Sequence, residues 1–210
     1  MCGIAGIWQS SEGNFSCLQQ IVSNMTEALS HRGPDDSGVW FEQNSGLGFG
    51  HRRLSVLDIT NSGHQPMSSN SGRYIIIFNG EIYNHKELRN TLINNWKGSS
   101  DTETILAMIE RYGLENSLRK FIGMFSLALW DRREKTLQIA RDRLGEKPLY
   151  WGSVKNIYTS NKSIAFASEL SAFHQITGFE KHINYEALSE YFRFGYVPSP
   201  YSIYKDINQL

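Results

Sequence analysis

A cysteine stands directly behind the initiator methionine, and that position gives it chemistry an internal cysteine lacks. Once Met1 is trimmed, the α-amine of Cys2, with a reference pKa of about 7.7–8.0, lies beside a thiol of reference pKa about 8.5. The amine can then take the thiol proton, so that one residue supplies both nucleophile and base, as an N-terminal threonine does. Position alone also suits a small buried hydrophobe at a strand edge, because free cysteine is often buried.

Five polar, glycine-bearing or charged segments interrupt the apolar pattern downstream: HRGPDDSG (31–38), HRRLSVLD (51–58), FNGEIYN (78–84), SDTE (100–103) and RDRLGEKPLY (141–150). In FNGEIYN, a strand-like run over 74–78 leads into Asn79 and Gly80. Asn-Gly is a strong hairpin signal, but no alternating strand follows, and the segment leads toward a helix. An Asn amide beside a glycine N–H is a good donor pair for a developing oxyanion. Either Arg52 or Arg53 can grip a carboxylate in bidentate fashion, or sit on the surface as most arginines do. Asp101 can cap the helix that follows it or accept from a substrate ammonium. One arginine, one aspartate and an amide-attacking thiol together match glutamine: its α-carboxylate, α-ammonium and side-chain carboxamide. In RDRLGEKPLY, Arg141, Asp142, Arg143, Glu146 and Lys147 have the look of an active-site cluster, but a turn between two strands, shaped by ion pairs and Gly145, is the better reading. The six histidines show no metal-ligand spacing, so no metal site is assigned.

The elements that must position these groups follow from periodicity. Strand-like runs cover 4–8, 38–41, 47–51, 74–78, 124–130, 137–140 and 164–167, several of them continuously apolar as in doubly buried strands. Leu18, Ile21, Val22, Met25, Ala28 and Leu29 recur at helical spacing, with Ser16 and Gln19 as a capping box. Further helices are expected over 84–92, capped by Asn84, over 102–112, stopped by Gly113, and over 184–192. The order predicts a layered α+β domain with two sheets faced by helices.

Composition bounds the rest. A chain of 210 residues suits one domain. Twenty-one basic against 21 acidic residues argue against a nucleic-acid partner. Two cysteines, Cys2 and Cys17, do not make a disulfide framework. The N-terminus is unlike a signal peptide, and no apolar run is long enough to span a membrane. The expectation is a soluble, reduced, cytoplasmic protein.

Taken together, HRGPD, NGEIYN and RDRLGEKPLY, in this order behind Cys2, resemble the class II (N-terminal nucleophile) glutamine amidotransferases, most closely the asparagine synthetase B family. The resemblance implies the four-layer αββα sandwich of the N-terminal nucleophile hydrolases. It implies Cys2 as nucleophile, its freed amine as base, and Asn79 with the Gly80 N–H as oxyanion hole. It selects Arg53 for the glutamine α-carboxylate, with the main chain of Leu54, Ser55, Val56 and Leu57 beside it, and Glu81 and Asp101 for the α-ammonium. It places residues 1–183 in the glutaminase domain and 184–210 in a connection toward a synthetase domain or chain. No cofactor is implied for these residues; ATP and Mg²⁺ are expected only in the synthetase part, whose SGGxDS loop does not occur here. A homodimer is compatible with the full-length protein. Two other readings stay open: an amidotransferase serving a sugar or cell-envelope precursor, and a non-catalytic glutamine-binding or docking module.

Overall fold

The computed structural model describes residues 1–9, 15–58, 60–155 and 162–210. Two antiparallel sheets carry the fold, with helices outside them, consistent with the expected α+β class. In chain order the elements are β1 (Gly3–Trp8), α1 (Phe15–Glu27), β2 (Asp36–Glu42), β3 (Leu47–Arg53), β4 (Met67–Ser68), β5 (Tyr74–Ile82), α2 (His85–Asn90), α3 (Asp101–Tyr112), α4 (Leu114–Leu118), β6 (Gly123–Asp131), β7 (Thr136–Arg141), β8 (Tyr150–Lys155), β9 (Lys162–Ala167), α5 (Leu170–Phe173), α6 (Tyr185–Phe194) and β10 (Ile207–Gln209). The six-stranded sheet runs β10-β8-β9-β1-β3-β2 and the four-stranded sheet β4-β5-β6-β7.

Strand alternation sorts side chains into three core clusters. Ala5 and Ile7 of β1 pack with Leu18, Ile21, Val22, Met25 and Leu29 from α1 and the residues after it. Ile4 joins Leu47 and Phe49 of β3, Phe166 of β9, Ile75 and Ile77 of β5, and Ala128 and Trp130 of β6 in a core between the sheets. Tyr74, Ile76, Phe78 and Ile82 of β5 meet Ile105, Leu106, Met108 and Ile109 of α3. Each fully buried aliphatic side chain contributes roughly 1.5–3 kcal/mol by leaving water.

The same alternation fixes the site. Continuing β3 past Leu47 and Phe49, His51 and Arg53 fall on the inter-sheet face; continuing β5 past Ile75 and Ile77, so do Asn79 and Glu81. Cys2 has the parity of Ile4. Three strands therefore direct polar side chains toward the rim where the inter-sheet core runs out.

Several expectations need correction. β5 does not end at Phe78: it continues to Ile82, because Asn79 and Gly80 pair with Ser126 and Phe125 of β6 and keep the ladder intact. Ser16 lies inside α1, which begins at Phe15, so it is not the helix cap. Ser100, not Asp101, caps α3, accepting from the Glu103 N–H. The 141–150 turn does join two strands, but carboxylate-to-backbone bonds shape it. Asp142 accepts from the N–H groups of Phe125, Leu144, Glu146 and Lys147, and Arg141 donates to the carbonyls of Lys147, Gly145 and Leu210. Among the described residues, no ion pair lies within it. β8 and β10, which extend the larger sheet, and the short α4 and α5 were not foreseen. Among the described residues, no helix is long and apolar enough to cross a membrane.

Candidate active site

A cavity of about 150 Å³ opens at this rim. It is smaller than the roughly 300–1,000 Å³ of pockets that take drug-sized ligands, so its occupant is small. Its lining includes Cys2, Arg53, Leu54, Val56, Leu57, Asn79, Gly80, Glu81 and Asp101, together with Met1, Asp58, Gln65 and Lys147. Of the residues that the resemblance assigned to the site, Ser55 alone stays outside it. Its backbone N–H turns away to donate to Asp35 Oδ2 at 2.8 Å.

Cys2 is held by one neighbour on both counts. Its Sγ donates to the Leu54 carbonyl at 3.6 Å and accepts from the Leu54 N–H at 3.4 Å. Arg32 Nε pins the Cys2 carbonyl at 3.0 Å, while Arg32 Nη1 donates to Glu169 Oε1 at 2.7 Å. Burial pushes the Cys2 thiol above its ordinary value, opposed by the Leu54 N–H, the charged N-terminus and Arg53. The resting group is therefore a thiol at neutral pH, and attack from it requires a base.

Arg53 is buried, yet among the described residues no carboxylate lies within ion-pairing distance of it. Its Nη1 donates to the Thr60 carbonyl at 2.9 Å and its Nη2 to the Asp58 carbonyl. Gly63 makes room for it, since a Cβ there would collide with the guanidinium. A buried guanidinium held by carbonyls keeps its charge available to an incoming anion.

Asn79 is 1% exposed and, among the described residues, its Nδ2 has no hydrogen-bond partner. A buried amide donor left unpaired costs about 1–3 kcal/mol, so the fold carries a penalty that a bound acceptor would relieve. Gly80 follows in the ladder opposite Phe125, where a Cβ would strike the backbone of Met124 and Phe125; only glycine fits.

Asp101 is the first residue of α3. Its Oδ2 accepts from the Ile82 N–H at 2.9 Å, which ties α3 to the end of β5. Burial pushes its carboxyl up to about 6, against the pull of the Ile82 and Thr102 N–H groups; the negative charge of Glu81 adds to the rise. Two acidic side chains on one wall form a place for a cation.

Gln65, Met124 and Asp58 gave little signal in the sequence, and Lys147, read there as part of a turn, lines the cavity too. Gln65 accepts from the Phe78 N–H at 2.7 Å and donates to Thr102 Oγ1 at 3.2 Å, joining β5 to α3 beneath the cavity. Lys147 Nζ contacts Met1 Sδ at 3.3 Å, so the initiator side chain shares the cavity with Cys2. Met124 lies in the ladder beside Glu81. Asp58 was visible only as an acid after an apolar run. Among the described residues, no group of three His, Cys, Asp or Glu side chains is placed to hold a metal ion.

Comparison with known proteins gives the family of the chain. The family described as the glutamine amidotransferase domain matches residues 1–210. Asparagine synthetase [glutamine-hydrolyzing] 1 of Bacillus subtilis is 36% identical over 204 residues, covering 95% of this chain and 30% of that protein. Asparagine synthetase [glutamine-hydrolyzing] 2 of the same organism is 38% identical over 193 residues, covering 90% of this chain and 24% of that protein. Amidase chry2 of Gibberella zeae is 35% identical over 160 residues, covering 74% of this chain and 23% of that protein. The chain thus spans about a third or less of the length of these relatives.

Proposed function

The chain belongs to the glutamine amidotransferase domain family, and on that premise we propose that it hydrolyses L-glutamine to glutamate and ammonia with Cys2 as nucleophile. The observation that carries the reading is convergence: a thiol, a buried amide donor and a guanidinium that have no hydrogen-bond acceptor and no carboxylate partner, respectively, among the described residues, and a pair of carboxylates line one small cavity. Those groups correspond in number and charge to the parts of a glutamine molecule.

In this mechanism Arg53 takes the α-carboxylate, and Asp101 and Glu81 take the α-ammonium. The amine of Cys2, freed when Met1 is removed, accepts the thiol proton as Sγ attacks the side-chain carbonyl carbon. Asn79 Nδ2 and the Gly80 N–H stabilise the oxyanion, a contribution that typically reaches 10²–10³-fold per donor. As the C–N bond breaks, the protonated amine returns its proton to the leaving ammonia. Water adds to the thioester, the oxyanion site acts a second time, and glutamate departs with the thiol restored.

The three core clusters support reading the helices and sheets as four αββα layers of the N-terminal nucleophile type. The names of the relatives support asparagine synthesis as the use of the ammonia, with aspartate, ATP and Mg²⁺ handled by a synthetase region or chain. In that reading residues 184–210 connect the glutaminase part to it, no cofactor belongs to the residues present here, and the full-length protein is a cytoplasmic homodimer. A second reading is an acceptor other than aspartate; one relative is named as an amidase and not as an asparagine synthetase.

Ammonia release from L-glutamine by protein whose N-terminus has been verified as Cys2 tests the proposal. Release of one ammonia per glutamate is expected. Glutamine binding without release would leave a sensing or docking module instead.

A further inference from the structure

Asp58 takes no part in the steps above, yet it is buried and lines the same cavity. Its carboxylate is fully engaged by backbone and hydroxyl donors from two separate segments. Oδ1 accepts from the Thr60 N–H at 2.9 Å and the Thr60 hydroxyl at 2.6 Å. Oδ2 accepts from the Ser99 N–H at 2.8 Å and the Ser99 hydroxyl at 3.2 Å.

Both segments hold a charge of the site. The carbonyls that fix the Arg53 fork are those of Asp58 and Thr60, the two residues locked together by Oδ1. Ser99 lies two residues before Asp101, in a segment anchored on its other side by Glu103, which accepts from the Lys97 and Gly98 N–H groups at 2.7 and 3.1 Å. One carboxylate therefore sets the spacing between the guanidinium and the acidic wall.

We propose that Asp58 is a positioning residue that fixes the distance between Arg53 and Asp101, and so selects α-amino acids, whose carboxylate and ammonium share one carbon. Residues on both loops are pulled to a common anchor. A ligand offering only one of the two charges gains only half of what this anchor holds in place. The Thr60 hydroxyl and Ser99 N–H hold the carboxyl down at about 2, so the clamp stays ionised throughout the working pH range. The inference rests on the proposed glutamine site but not on its turnover.

The test measures binding of L-glutamine by calorimetry to the Cys2→Ala chain, alone and with Asp58→Asn. Asn keeps an acceptor for Thr60 but presents N–H groups to the Ser99 donors. The expected result is a Kd raised by about 10–100-fold, the range for lost charge-assisted hydrogen bonds. In the Cys2-containing Asp58→Asn chain, alkylation of the thiol by iodoacetamide should keep its wild-type rate, since the thiol is held by Leu54. Glutaramate, which lacks the ammonium, should lose clearly less affinity than glutamine. A Kd within threefold of the parent overturns the clamp. So does a glutamine loss matched by an equal glutaramate loss, or by a changed alkylation rate, either of which marks a general disturbance of the fold. If the Cys2→Ala chain binds no glutamine, the proposed site itself fails and the clamp with it; if it binds glutamine but the Cys2 chain releases no ammonia, only the catalytic reading falls.

Discussion

Asn79 lies directly across the β5–β6 ladder from Ser126, and each ends in a buried polar atom, Nδ2 and Oγ respectively, that has no partner among the described residues. Two such atoms side by side mark a place where the fold forgoes hydrogen bonding. For Asn79 the proposed function supplies the reason: its donor waits for an oxyanion that exists only during the reaction. Asn79→Ala should lower kcat by about 10²–10³-fold, the usual loss for one oxyanion donor. Removing Nδ2 relieves the penalty of an unpaired buried donor while the truncation leaves a small void, so the two effects oppose and thermal stability should not fall much. A stable variant with wild-type kcat would remove Asn79 from the role.

Arg53 should betray itself through KM. Arg53→Lys keeps a positive charge but loses the fork that meets a carboxylate with two parallel bonds. KM for glutamine is expected to rise about 10–100-fold, as for charge-assisted bonds worth 1.5–3 kcal/mol, with kcat nearly unchanged. The carbonyls of buried Asp58 and of Thr60 lose a donor as well, so some loss of stability accompanies it. Steady-state kinetics that show a fall in kcat alone would assign Arg53 elsewhere.

Asp101 links activity and stability with opposite signs. Holding a substrate ammonium requires the carboxylate, so kcat/KM should fall as pH drops through about 6. For stability, a carboxyl raised in the folded state helps below its unfolded value of about 3.9, and that help is lost as pH rises through about 6. At pH 7 the charged, buried group costs on the order of 2–3 kcal/mol. Asp101→Asn should therefore raise Tm at pH 7, with the difference shrinking toward pH 4, while KM for glutamine increases. Thermal melts at both pH values and a pH–rate profile check the two signs. An unchanged Tm would show that Asp101 pays no such desolvation cost.

How much of this could be read before the fold was known differs by element. β1, β3 and β6 were legible because Ile4, Leu47, Phe49 and Leu127 sit in unbroken apolar runs. β8 was not: YWGSVK carries a glycine and a lysine, and it becomes a strand through pairing with β9 and β10, a contact invisible locally. In the site, Cys2, Asn79 and Asp101 drew notice through residue type and position, whereas Arg53 was chosen over Arg52 only through the family resemblance. Asp58 and Gln65 drew none, since their work is to join segments distant in the chain. Ser55 was named with its neighbours as part of one stretch; Asp35 draws its N–H away.

Met1 gives a processing prediction. With its side chain in the cavity against Lys147 and no free amine on Cys2, protein that retains Met1 should release no ammonia. Intact-mass analysis of preparations with differing Met1 occupancy should show activity in proportion to the processed fraction. Activity independent of that fraction would rule out the Cys2 amine as the base.

Acid quenching during turnover, followed by mass analysis of the N-terminal peptide, tests the central claim most directly. A glutamyl adduct on Cys2, removable by hydroxylamine as a thioester should be, is the expected result, with neither adduct nor ammonia from a folded Cys2→Ala chain. Ammonia released from glutamine at the wild-type rate by Cys2→Ala would contradict it.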